Sequence, residues 1–261
     1  MKIPYYHIDA FTGKTFSGNP AGVCLLDDWL PDGVLQGIAA ENNLSETAFV
    51  VAKGDHFELR WFTPKVEVDL CGHATLAAAF VIFKYLGYTG SSIRFQSKSG
   101  LLTVERDKEL IILDFPARPP VPCPTPQLLV QGLGCRPIEV RRSRDYFAVF
   151  SAQEDIPEIK PDMLILSQLD CLGIIATAPG NAVDFVSRFF APGAGIPEDP
   201  VTGSAHCSLI PYWSERLGKQ KMTALQLSTR GGELFCEYAG DRVKIGGKAV
   251  VYLKGEIEIR D

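Results

Sequence analysis

One stretch of this sequence occurs twice, and that constrains the fold more than any other feature. Arg60-Trp61-Phe62-Thr63-Pro64 (RWFTP) precedes GHATLAAAFVIFKYLG, which runs from Gly72 to Gly87. Arg188-Phe189-Phe190-Ala191-Pro192 (RFFAP) precedes GSAHCSLIPYWSERLG, which runs from Gly203 to Gly218. The first elements are 128 residues apart and the second 131, and a third pair, around Gly100 and Gly232, is 132 apart. A period this long signals two copies of a domain, not a solenoid. With 261 residues in the chain, each copy is long enough for its own core. Duplication also creates an interface between halves, where ligand pockets tend to form.

Six prolines crowd the stretch 116–126 (Pro116, Pro119, Pro120, Pro122, Pro124, Pro126). Proline blocks helix and cannot donate to a sheet ladder, so this segment reads as a semi-rigid connector. The expected organisation is a first domain at 1–115, the connector, and a second domain at 127–249. A last strand near 250–261 is expected to return to the first domain.

Most segments in each half read as short strands, rich in β-branched and aromatic residues between turn signals. They are 56–62, 92–96, 101–106 and 109–115 in the first half, and 146–150, 171–177, 182–190 and 233–238 in the second. One strongly apolar helix follows in each half, at Ala74–Leu86 and Ser204–Leu217, and both end at a glycine suited to a left-handed cap. A further helix is expected at Asp32–Asn42. The economical architecture is α+β, with a mixed sheet wrapped round one buried helix, made twice.

Several function classes drop out. The longest apolar run, Ala74–Phe83 broken by Thr75, is about half of a bilayer crossing, so no membrane partner is expected. MKIPYYHIDAF lacks a secretory signal pattern. A net charge of −5 with no basic block disfavours nucleic acid. Seven scattered cysteines with no CxxC pair read as free thiols in a reducing, cytoplasmic compartment, without structural zinc. Four scattered histidines make no metal site.

The chemistry points to the starts of the two central helices. Leu70-Cys71-Gly72-His73 leads into the first, and Asp199-Pro200-Val201-Thr202-Gly203-Ser204 into the second. A first helical turn carries unpaired N–H groups and a partial positive charge, and glycine admits a ligand close to the backbone. Taken singly, each is adequately explained as a capping turn. As a matched pair they suggest an anion pocket for a carboxylate or an enolate-like intermediate. Glu46, in ENNLSETAFV, sits between a helix end and an apolar strand. Partial burial there would suit it to proton transfer. On the residues alone, an ordinary solvated glutamate remains the stronger reading.

DAFTGKTFSGNPAGVCLLDDW, ENNLSETAFV, LRWFTPKVEVDLCGHATLAAA and GIPEDPVTGSAHCSLIPYW together resemble the phenazine biosynthesis-like (PhzF-like) family, within the diaminopimelate epimerase-like fold. The resemblance covers almost the whole chain. It implies two similar domains, each a mixed sheet curled into a barrel round a central helix, with the active site in the cleft between them. It implies cofactor-independent proton transfer on a small carboxylated, cyclic substrate, with Glu46 as acid/base. His73 and Asp199 match the family's other catalytic positions. Asn19, Ser45, Gly72, Gly203 and Ser204 match substrate contacts, and a homodimer is expected.

The two-thiol epimerases of this fold need a cysteine at the start of each central helix. Cys71 stands at the first such place and Asp199 at the second, so two-thiol exchange is disfavoured. Cys71 then reads as a small residue packed near the cleft. Ser204 and His206 invite a hydrolase reading, but two positions apart on a helix they face different ways. Competing readings are a racemase or epimerase with another base pair, such as Glu46 with Cys71 or Asp199, and a non-catalytic binding module. The joint presence of Glu46, His73, Asp199 and Ser204 argues against the module.

Overall fold

The computed structural model describes residues 1–260. In chain order, the first elements are β1 (Lys2–Ala10), β2 (Asn19–Leu26), α1 (Asp32–Asn42), β3 (Glu46–Lys53), β4 (His56–Phe62), β5 (Glu67–Val68), α2 (Gly72–Tyr85), β6 (Ser92–Ser97), β7 (Gly100–Asp107) and β8 (Leu110–Pro116). There follow β9 (Val121–Pro122), α3 (Gln127–Leu133), β10 (Glu139–Arg142), β11 (Tyr146–Val149), α4 (Asp155–Glu158), α5 (Met163–Leu166), β12 (Ile174–Pro179) and β13 (Phe185–Phe190). The chain closes with α6 (Gly203–Leu217), β14 (Lys221–Gln226), β15 (Gly232–Ala239), β16 (Arg242–Gly247) and β17 (Ala249–Glu258).

The chain divides into two compact units. One is Met1–Asp114 together with the chain from Gly246 onward, and the other is Phe115–Ile245. In the first, β17 and β2 flank β1, both antiparallel to it. The sheet continues through β2–β3 parallel, β3–β4 antiparallel, β4–β6 parallel and β6–β7 antiparallel. In the second, β10–β11 is antiparallel, β11–β12 parallel, β12–β13 antiparallel, β13–β14 parallel and β14–β15 antiparallel. The order of pairings is the same in both units. Each central helix occupies the crossover that joins a parallel pair, α2 between β4 and β6, and α6 between β13 and β14. The repeated motifs therefore mark equivalent places in one topology.

The central helices are where each core concentrates. In α2 the side chains His73–Ala79 and Val81–Phe83 are buried, and the helix packs on β1, β2, β3 and β17. In α6 everything from Ala205 to Ser214 is buried, and the helix packs on β14 and β15. Such all-round burial requires an apolar circumference, which both sequences supply. Pro211 interrupts α6 and cannot donate to the carbonyl of Cys207. The N–H of Arg118 takes that place at 2.8 Å, so no carbonyl is orphaned.

Element limits differ from the sequence reading where turns intervene. β12 begins at Ile174, because a Cys171 N–H to Leu169 carbonyl bond holds a turn ahead of it. β13 begins at Phe185, after a turn closed by the Gly180 N–H on the Asp184 carbonyl. The proline-rich stretch contributes β9, which pairs antiparallel with β10, so part of it is sheet within the second unit. No helix among the described residues is long and apolar enough to cross a membrane.

The RxFxP motifs act through their arginines. Arg60 on β4 makes a two-pronged contact with Glu67, at 2.7 and 2.9 Å. Arg188 on β13 does the same with Glu198, at 2.7 and 2.9 Å. Each guanidinium also lies over the phenylalanine of its own motif, 5.1 Å from Phe62 and 4.8 Å from Phe190. Arg188 further donates to the carbonyls of Ile156 and Ile159, at 3.1 and 2.9 Å. Lysine cannot reproduce a planar fork. Arg188→Lys is expected to cost about 1–3 kcal/mol of stability, with the Ile159 carbonyl losing its arginine donor while the Ile156 carbonyl keeps the Ile159 N–H. Arg60→Lys should cost less, because Arg60's remaining partner, Asp32, is an exposed carboxylate. Urea midpoints of the two variants check that order.

Candidate active site

In the first unit, two of the expected residues, Asn19 and Glu46, converge on a third, the buried imidazole of His73. Asn19 opens β2. It follows Gly18, whose φ of +68° and 2.2 Å separation of a would-be Cβ from the Ala10 carbonyl exclude any side chain. Glu46 opens β3, just after α1 ends at Asn43 in the left-handed region. The helix-to-strand junction expected from sequence is therefore real, but the Glu46 side chain is only 12% exposed, so it is no solvated turn residue. Gly72 and His73 begin α2, and Cys71 occupies the N-cap position.

His73 Nε2 lies 3.1 Å from Glu46 Oε2 as an ion pair. On the other side of the ring, Asn19 Nδ2 lies 3.2 Å from His73 Nδ1. Half a turn of the amide presents its oxygen instead, so Asn19 can serve either imidazole or imidazolium. Cys71 Sγ sits 3.5 Å from Nδ1 and 4.0 Å from Nε2. Ser45 and Gly72 are chain neighbours of this cluster and half-buried.

Burial opposes charge on both members of the pair. At His73, Cys71 and Glu46 outweigh it and raise the imidazole well above its usual range. At Glu46, the nearby His73 outweighs burial and holds the carboxyl below its usual value. Burial and the Glu46 carboxylate push the Cys71 thiol up to about 11. Near neutral pH the cluster is thus carboxylate, imidazolium and neutral thiol. Glu46, Cys71 and His73 also bring three donors within 4.8 Å of one another, a set of the kind zinc accepts once the thiol is ionised.

In the second unit, Asp199, Gly203 and Ser204 cluster at the start of α6. Asp199 is buried, and its Oδ2 accepts from Thr202 Oγ1 at 2.6 Å. Gln226, also buried, donates to the Asp199 carbonyl at 2.7 Å and accepts from the Thr202 N–H at 2.8 Å. Ser204 Oγ accepts from Arg144 at 3.0 Å. Neither α2 nor α6 has a side-chain cap hydrogen bond from its N-cap residue.

Gln226, Thr202 and Arg144 were not legible as site residues. Gln226 comes from β14 and Arg144 from the turn before β11, so only folding brings them to α6. The structure also corrects one correspondence. The residue ahead of Gly203, as Cys71 is ahead of Gly72, is Thr202, the N-cap of α6; Asp199 lies three positions earlier. Neither position holds a thiol.

His206 takes no part with Ser204. Its Nδ1 donates to the Thr202 carbonyl at 2.8 Å, and burial alone depresses its pKa to about 4.

The fold and the paired clusters define a two-unit protein in which each unit curls a mixed sheet round a helix with polar residues at its start. The chain belongs to the phenazine biosynthesis-like family, whose model matches residues 8–255. It is 49% identical over 259 residues to a protein named "uncharacterized isomerase" from Pseudomonas aeruginosa, covering 99% of this chain and 100% of the relative. It is 41% identical over 291 residues to the human phenazine biosynthesis-like domain-containing protein, covering 98% and 99% of the two chains. A crystal structure of a PhzF-family phenazine biosynthesis protein from Enterococcus faecalis superposes with a TM-score of 0.98 at 49% identity, over 99% of this chain and 100% of that one.

The buried His206 gives a stability prediction. The unfolded state takes up its proton near pH 6.5, and the folded state only near 4. Its contribution is therefore complete above pH 6.5 and is lost progressively as pH falls towards 4. The loss is about 3 kcal/mol, taking 1.36 kcal/mol per pH unit. His206→Gln should show a correspondingly flatter stability–pH curve over that window in denaturant titrations.

Proposed function

We propose that this protein is an isomerase that moves a proton between carbon atoms of a small carboxylated cyclic metabolite, with Glu46 as the transferring group and no cofactor. The single observation that carries this reading is the buried pair of Glu46 and His73. Perturbed, paired titratable groups at a helix start favour a catalytic role over a structural one. The isomerase class is supported by relatives named isomerases at 45–51% identity.

In the proposed step, the Glu46 carboxylate takes a proton from a carbon made acidic by the substrate's unsaturation and carboxylate. The electron pair spreads into that conjugated system. Glu46, now a neutral acid, returns the proton at another carbon, so no atom is gained or lost. In the resting protein the imidazolium makes Glu46 a weak base. An entering carboxylate adds negative charge beside the pair and raises the proton affinity of both groups. The first-turn amides at Gly72, Gly203 and Ser204 are the proposed donors to the substrate's carboxylate and to the charge that develops. Asn19 and Asp199 are proposed to orient the imidazole and the substrate, with Ser45 and Ser204 as further contacts. The reading includes a homodimer, tested by sedimentation at micromolar concentration.

Glu46→Gln should fold normally, judged by circular dichroism, and lose about 10²–10⁴-fold in turnover. The assay is label uptake from D₂O by a panel of carboxylated cyclic metabolites. Cys71→Ala should be nearly silent, because a thiol held protonated to about 11 is a poor base near neutrality. An active Glu46→Gln protein together with a dead Cys71→Ala protein would instead support a thiol-based epimerase.

The pH profile gives a second check. The acid limb of kcat/KM should lie below the usual glutamate range and the alkaline limb above the usual histidine range. His73→Asn removes the cation and leaves the burial, so the acid limb should move to higher pH. An unmoved limb would remove His73 from the proposed pair.

A further inference from the structure

A half-open cavity of about 600 Å³ lies in the first unit, at the opposite end of α2 from His73. Phe80, Phe83 and Lys84 on the last turns of α2 form one wall. Arg106 and Lys108 from the β7–β8 hairpin form another, and Lys248, just ahead of β17, closes a third side. The volume suits a small molecule.

The charge of this wall runs against the rest of the chain. Four cations line it, in a protein of net charge −5. Among the described residues that line the cavity, only Glu109 is acidic, and it is taken by Lys248 at 3.1 Å. Lys84, Arg106 and Lys108 make no ion pair among the described residues. Two of them lie on rings instead. Lys84 Nζ is 5.0 Å from the centroid of Phe80, and Arg106 Cζ is 4.6 Å from that of Phe83. A guanidinium stacked on a ring keeps its N–H donors along its edge, free for an oxyanion. Lys84 alone could be explained by the negative end of the α2 dipole. That explanation does not reach Arg106 and Lys108, which come from the hairpin. Lys108 also holds φ at +55°, where hairpin turns ordinarily use glycine or asparagine.

We propose that this cavity binds a small organic phosphate carrying at least two negative charges, with the phosphate on Arg106, Lys84 and Lys108 and its organic body along Phe80 and Ile111. Three cations round one concavity match such an anion in charge, and the arginine fork matches its geometry. The site is separate from the Glu46 cluster. Lys84 is eleven residues beyond His73 on α2, which is about 16 Å along the helix axis.

The test is calorimetric titration of the full chain with inorganic pyrophosphate at low salt, repeated at higher sodium chloride and with succinate in place of pyrophosphate. Saturable pyrophosphate binding is expected, weakened by salt. The Lys84→Ala/Arg106→Ala/Lys108→Ala variant should bind at least about tenfold more weakly. The three side chains are exposed, so the fold should survive. Arg106→Gln alone, a milder change, should show a smaller loss in the same direction. Absence of binding to the wild-type chain overturns the proposal. So does unchanged affinity in the triple variant, which would put the anion elsewhere, including at the starts of α2 and α6. Equally tight succinate binding overturns the assignment to phosphate. Label exchange by Glu46 is read in a separate assay, so failure here leaves the isomerase reading standing.

Discussion

A half-buried arginine clamped by a glutamate, built twice, holds the segment that delivers each central helix. Arg60 reaches from β4 to Glu67, and Arg188 reaches from β13 to Glu198, with the same two-pronged geometry. In the first unit, the Arg60 guanidinium, with Lys98 beside it, overcomes burial and holds the Glu67 carboxyl down at about 2. In the second, Glu198 is the neighbour of Asp199, whose own N–H bonds the Phe189 carbonyl at 3.0 Å. The approach to α6 is thus pinned by a side-chain fork and a backbone bond in consecutive residues. A charge pair withdrawn from water is weak as a source of net stability. Its value here is directional, since a planar fork accepts one arrangement of its carboxylate and fixes where the following helix starts.

The same logic separates the clamps from the Glu46–His73 pair. Arg60 and Arg188 are surrounded by acceptors that satisfy them, and they stay charged under all ordinary conditions. His73 is buried and the Glu46 side chain nearly so; Glu46 depends on His73 to remain ionised, and His73 depends on Cys71 and Glu46. A pair held that way responds when a third charge arrives, whereas a fully bonded fork does not. That difference in sensitivity is the physical ground for reading one motif as scaffold and the other as chemistry, although both are acid–base contacts of similar length.

How much of this was legible follows from how local each signal is. The duplication was plain, because a motif and the helix after it are contiguous in sequence, and the matching order of strand pairings bears it out. α1 was readable from 32 to 42 for the same reason. Glu46 was not readable as a site residue from its own surroundings. Its burial depends on α2, which begins 26 positions later in sequence at Gly72, and only the family resemblance pointed to it. Gln226 and Arg144 gave no signal at all, since a glutamine in a strand and an arginine in a turn are ordinary until register sets them beside Thr202 and Ser204. The meaning of RxFxP was hidden too. Its glutamate partners lie 7 and 10 residues beyond their arginines, past the end of the strand in each case, so no common offset marks the two pairs.

Cys71 and Thr202 stand at equivalent places of one framework and present different chemistry. Both residues occupy the N-cap of a central helix, directly ahead of a glycine. A thiol at that place is ordinarily favoured as thiolate, because the helix start is electropositive. Here burial and the nearby Glu46 carboxylate reverse the preference and keep Cys71 protonated. At the equivalent place, Thr202 offers a hydroxyl that donates to Asp199 and cannot ionise in this range. What the two helix starts retain in common is the set of backbone amides without a side-chain cap. On the proposed reading, the framework fixes where negative charge is received, and the residues around the N-cap decide which group moves the proton. In the proposed mechanism the carboxylate beside that thiol keeps it protonated and itself supplies the base, so Glu46 and a reactive Cys71 are alternatives and not partners.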